Sequence, residues 1–105
     1  MKGSETLRSN IFHCYSTESS IHLPIDNILT TPGASLANFL VLFALLGPGD
    51  HVIVQYPTYQ QLYSLPASIG ADVSLWESKK GDDWKLDLND LRRLIRSNTK
   101  MIVIK

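Results

Sequence analysis

Gly33, Ala34 and Ser35 open a long apolar run and directly follow the short segment Ile28-Leu29-Thr30-Thr31-Pro32. In an open α/β sheet, a glycine turn that leads into a helix is a place where anions bind. The first N–H groups of the helix point outward there, with the macrodipole behind them. Gly33 lets a phosphate approach the backbone, Ala34 and Ser35 offer main-chain N–H groups, and the Ser35 hydroxyl adds a donor. The plainer reading is that Gly33 makes a tight turn and Ser35 caps the helix. Neither G-x-G-x-x-G nor G-x-x-x-x-G-K-[ST] occurs, which disfavours dinucleotide and P-loop sites.

A second cluster, Tyr56-Pro57-Thr58-Tyr59, follows the β-branched run His51-Val52-Ile53-Val54-Gln55. In a parallel sheet its carboxyl end lies on the same edge as Gly33, where an aromatic ring can stack on a planar ligand held by its phosphate. Tyr59 is the candidate and Tyr56 the second choice, with packing as the alternative for both. The remaining constellations are thin. His13, Cys14, His22 and His51 have no metal-ligand spacing, and Ser35 and Ser64 lack the G-x-S-x-G elbow of a hydrolase. Asp82-Asp83 with Lys79-Lys80 reads as a solvated loop bracketed by Trp76 and Trp84, which cover a core edge. Leu62 and Tyr63 read as packing residues.

The elements that must position these groups follow from periodicity. Residues 6–15 place Leu7, Ile11 and Cys14 at helical spacing, and a polar turn runs through residues 16–20. Residues 27–31 read as the first strand, stopped by Pro32. Residues 34–46 read as a helix that is apolar nearly all round and therefore buried between layers. In Gly47-Pro48-Gly49-Asp50, Gly47 suits the left-handed position after the helix and Pro48-Gly49 the centre of a type II turn. A second strand follows over 51–55, then a helix over 58–69 kinked or broken at Pro66 and closed by Gly70. A third strand covers 71–76, and Asp87 caps a helix carrying Leu88, Leu91, Leu94 and Ile95. Residues 99–104 form a fourth strand. Strands alternating with helices specify right-handed βαβ crossovers and a mostly parallel sheet, so the fold class is α/β.

Length and composition bound the rest. At 105 residues the chain holds one compact domain, and an enzyme needing two lobes is incomplete in it. Ten Lys and Arg balance ten Asp and Glu, so no basic field exists to attract nucleic acid. No apolar run approaches the roughly 18 residues of a membrane span, and no secretory signal opens the chain. Cys14 is the single cysteine, so no intrachain disulfide forms and a cytoplasmic location is expected.

The order of motifs resembles a family. Gly3 with Leu7-Arg8, the run from Ile28 through Gly33-Ala34-Ser35 to Asn38, Leu46-Gly47-Pro48-Gly49-Asp50-His51-Val52, Tyr56-Pro57-Thr58-Tyr59, Gly70-Ala71 and Thr99-Lys100 look like the class I/II aminotransferases. These are fold type I pyridoxal-phosphate enzymes, and the likeness runs over residues 1–105, the first part of their large domain. It implies a fragment of a three-layer, mostly parallel sheet and the cofactor pyridoxal 5'-phosphate. Gly33, Ala34 and Ser35 would then sit at the cofactor phosphate and Tyr59 would stack on the pyridine ring. It also implies amino acid and 2-oxo acid substrates, and a homodimer for the full enzyme. The family's Asn at the cofactor phenolic oxygen, its Asp at the pyridinium nitrogen, its Schiff-base Lys and its carboxylate-binding Arg have no counterpart here. Lys105 reads as a solvated end and not as that lysine. The expectation is therefore a piece of an aminotransferase that does not transaminate by itself; the alternative is a non-catalytic α/β anion- or cofactor-binding module.

Overall fold

The computed structural model describes residues 2–18 and 24–105, so His22 and the end of the polar turn at Ser19-Ser20 lie outside the described residues. The chain divides into two compact units, Met1–Ala37 and Asn38–Lys105.

In the first unit, helix α1 (Glu5–Glu18) covers the expected helical segment, although Leu7 and Cys14 of its expected apolar side are exposed, and a short 3-10 turn (Ile25–Asn27) follows. Residues 27–31 do not form a strand. Ile28 N–H closes the 3-10 turn on Ile25 O at 3.1 Å, and Thr30 N–H donates to Lys2 O at 3.0 Å. That single cross-chain backbone bond is no ladder, and β-propensity without a strand beside it leaves the segment merely extended. Arg8 Nη1 donates to Ile25 O at 3.1 Å, and the Lys2 ammonium reaches both the Asp26 carbonyl and its carboxylate. Gly3, at φ +93°, belongs to this knot: a Cβ there would stand 1.8 Å from Thr30 Oγ1. Only glycine accommodates both the positive φ and that approach.

Helix α2 (Ala34–Leu45) has the expected extent, but it is not buried between layers. Leu42 is its one buried residue, whereas Phe43 is 61% and Val41 52% exposed. Phe39 and Phe43 stack on each other at 5.3 Å, one turn apart on the exposed side. Composition set the expectation of burial, but only the Leu42 side meets the core of this chain.

The second unit holds a parallel three-stranded sheet in the order β2-β1-β3, from β1 (His51–Tyr56), β2 (Asp72–Glu77) and β3 (Thr99–Val103). Three strands stand among the described residues where four were expected, the difference being residues 27–31. Leu42, Leu46, Val52, Val54, Leu62 and Ala71 form the core on one sheet face. Alternation along β1 turns His51 and Ile53 to the other. Before β1, Asp50 N–H closes the turn on Gly47 O at 3.2 Å, and the positive φ falls on Gly49 (+87°) rather than on Gly47. That is the third position of a type II turn, where Gly is required, so Gly47 is not the left-handed residue. Asp50 Oδ2 accepts from Gly47 N–H at 2.9 Å and from Lys100 Nζ at 3.2 Å. The Gly47 bond first, then Lys100, hold its carboxyl below the ordinary 3.8.

Helix α3 (Gln61–Ile69) starts three residues later than expected, because Leu62 N–H turns back to Tyr59 O at 3.0 Å. It runs unbroken through Pro66 and ends at left-handed Gly70, so of the kink or break expected at Pro66 the break does not occur. Beyond β2, a second 3-10 turn (Lys80–Asp82) sits in the exposed loop. Trp76 is buried and donates its indole N–H to Asp87 O at 2.9 Å, while Trp84 is exposed and covers no core edge.

Helix α4 (Leu88–Leu94) is capped as expected: Asp87 accepts from Asn89 N–H at 2.8 Å. Asp87→Ala is expected to cost about 1 kcal/mol, read as a shift of the urea midpoint without a change of slope.

Candidate functional site

Gly33 takes φ +98° with open space on its Cβ side. Its N–H donates to Thr31 O at 2.9 Å, and Thr31 Oγ1 donates to Gly33 O at 2.9 Å, so the turn is braced from within. The ladder of α2 begins with Ala37 N–H on Gly33 O at 3.4 Å. A helix leaves its first N–H groups outside its own ladder, and here those groups belong to exposed residues, Ala34 and Ser35 included. The donor set is therefore main-chain N–H and a serine hydroxyl at the positive end of a 12-residue helix, which fits a phosphate ester. What leads into the turn is the extended segment described above, not a strand.

Tyr59 lies in the loop after β1, past the cis Tyr56–Pro57 bond. The residue is 48% exposed and borders a shallow hollow with Gln60, Gln61, Ser64, Leu65 and Ser68. Tyr56 instead meets Tyr63 edge to face at 6.0 Å. Of the four candidates, Gly33, Ala34 and Ser35 fall in the first unit and Tyr59 in the second.

Two features of the second unit escaped sequence reasoning. The Lys105 ammonium lies 5.8 Å from the centroid of the Tyr59 ring, and Lys105 N–H donates to Gln55 Oε1 at 3.0 Å. Lys105 is exposed, as expected of it, and yet stands at the carboxyl edge of the sheet beside Tyr59. Parallel register carried the signal, since Val103 pairs with Val54 and two further residues bring β3 level with Tyr56. The other is His51, fully buried and bonded to two hydroxyls, which carried no sequence signal beyond its place in an apolar strand. Among the described residues no group of three or more His, Cys, Asp or Glu could hold a metal, and no helix is long and apolar enough to cross a membrane.

The family model described as aminotransferase class I and II matches residues 1–105. The chain belongs to that family. Among curated class I and II aminotransferases, the aspartate aminotransferase of Sulfolobus acidocaldarius is 29% identical over 104 residues, 97% of this chain and 26% of that protein. The tyrosine aminotransferase of Bos taurus is 27% identical over 91% of this chain and 21% of its own length. Among solved structures, a PLP-dependent aminotransferase from Streptococcus suis superposes with a TM-score of 0.86 at 46% identity, over 96% of this chain and 26% of that one. The aspartate aminotransferase of Thermus thermophilus superposes with a TM-score of 0.88 at 26% identity, over 98% of this chain and 27% of that one. The chain thus spans about a quarter of the length of its aminotransferase relatives. Its α/β architecture with a parallel sheet matches their large domain, and pyridoxal phosphate is the cofactor of these homologues.

Proposed function

We propose that residues 1–105 are the first part of the large domain of a pyridoxal-phosphate-dependent aminotransferase that exchanges an amino group between an amino acid and a 2-oxo acid. The single observation that carries this reading is the family match over the whole chain, which includes the exposed helix start at Gly33-Ala34-Ser35. In this reading the main-chain N–H groups of Ala34 and Ser35, with the Ser35 hydroxyl, receive the cofactor phosphate, and Gly33 lets it approach. Tyr59 stacks on the pyridine ring. When bound, the cofactor supplies an electron sink for the carbon that carries the amino group. The Schiff-base lysine, the partner of the pyridinium nitrogen and the receptor for the substrate carboxylate lie outside these residues. The resemblance further supports a homodimeric, cytoplasmic full enzyme.

Titration of the protein expressed from its complete gene with pyridoxal phosphate tests the ring contact. Tyr59→Phe keeps the stacking face and is expected to bind within about twofold of the parent, whereas Tyr59→Ala binds roughly tenfold more weakly, by the usual worth of one stacked aromatic pair. Equal affinities for the Ala and Phe variants would remove Tyr59 from the site.

A further inference from the structure

His51 opens β1, and its imidazole is fully buried. Nδ1 lies 2.7 Å from Thr99 Oγ1, at the start of β3, and Nε2 lies 2.8 Å from Ser74 Oγ on β2. One side chain therefore ties both outer strands to the central one, in addition to the backbone ladders. Each hydroxyl already accepts a bond from the same residue: Arg96 N–H donates to Thr99 Oγ1 at 2.7 Å, and Arg96 Nη2 to Ser74 Oγ at 3.3 Å. The charged groups facing the ring are Arg96, from the segment after α4, and Asp72, the first residue of β2; these two pair with each other.

Neutral imidazole carries one N–H and one lone pair, so it gives a proton to one hydroxyl and takes one from the other. Either tautomer completes this arrangement. A protonated ring has two N–H groups and no lone pair, and the hydroxyl that had donated to it, on the half-buried Ser74 or Thr99, loses that acceptor. Losing a partner for a half-buried donor costs free energy, charging the fully buried ring costs more, and the Arg96 guanidinium opposes a second cation beside it.

We propose that His51 is a pH-sensitive clamp across the amino-terminal edge of the sheet, fastening β2 and β3 to β1 while neutral and letting go when protonated. Burial first, and Arg96 second, hold the imidazole below its ordinary 6.5, with Asp72 acting the other way. The sign follows from proton counting. An opened edge takes up its proton near pH 6.5, and the closed edge does so only at lower pH. Between those values the open state binds more protons, so closure is at full strength above pH 6.5 and weakens as pH falls through that window.

Hydrogen exchange of the sheet amides, measured on the protein expressed from its complete gene and corrected for the intrinsic pH dependence of exchange, reads this directly. Protection of the amides joining β1 to its neighbours is expected to fall below pH 6.5 by up to about tenfold per pH unit, the slope of one linked proton. In His51→Gln, whose amide supplies one kind of donor and one acceptor at all pH values, protection is flat. Arg96→Gln removes the opposing cation and leaves Asp72 unpaired, so the closed edge takes up its proton nearer pH 6.5 and the fall in protection below that pH becomes smaller. Identical pH dependence in the parent and His51→Gln overturns the proposal. Should His51→Gln not fold, a fall in protection in Arg96→Gln as large as in the parent overturns it equally.

Discussion

Ser35→Asp is expected to bind pyridoxal phosphate about 100-fold more weakly than the parent, a loss of about 2.8 kcal/mol, while its affinity for pyridoxal stays within about twofold. The reason lies in the helix start. Ser35 is the second residue of α2, where N–H groups and the helix dipole favour negative charge. A carboxylate there competes with the phosphate for the same donors and repels it across a few ångströms. The substitution does not harm the fold, because an acidic residue in the first turn suits a helix and is worth about 0.3–1 kcal/mol in its favour. An unchanged or slightly raised melting temperature, with phosphate-selective loss of binding, is the expected pair of results. Equal losses for pyridoxal phosphate and pyridoxal would show that residues 33–35 do not receive the phosphate.

Ile53→Ala is expected to cost about 2–5 kcal/mol, among the largest effects open to a single core residue. Ile53 has no exposed surface and sits mid-strand in β1, paired with Ser74 of β2 and Ile102 of β3. Both neighbours are hydrogen-bonded into the ladder, so the sheet cannot collapse into the vacated space. Chemical denaturation checks this against Ile95→Ala, at a residue 51% exposed just after α4, where a change within about 0.5 kcal/mol is expected. Similar costs at the two positions would contradict a packed central strand.

The order of elements from α2 to β3 was legible along the chain because each is marked locally. The β-branched run of β1, the cap at Asp87 and the stop at Gly70 act within a few residues of themselves. The motif order from Gly33 to Tyr59 was equally legible, and it carried the family. Cofactor chemistry depends on residue types at particular turns, and those types are written in the sequence.

Residues 27–31 show the limit of that reading. Their β-branched and apolar types suit a strand, yet a strand exists only by pairing, and Thr30 finds a single backbone partner in Lys2. Apolar composition promised burial for α2, but burial depends on what faces a side chain, and the core reaches only Leu42. His51 is the converse, a polar residue in an apolar strand that becomes the most enclosed ionisable group described because β2 and β3 bring hydroxyls to both ring nitrogens. Local backbone preference and turn chemistry are properties of neighbouring residues, so the sequence by itself determined the elements from α2 to β3, their order and the family. Burial, strand pairing and the surroundings of an imidazole depend on residues 23 to 48 positions away, and only the tertiary structure decided those.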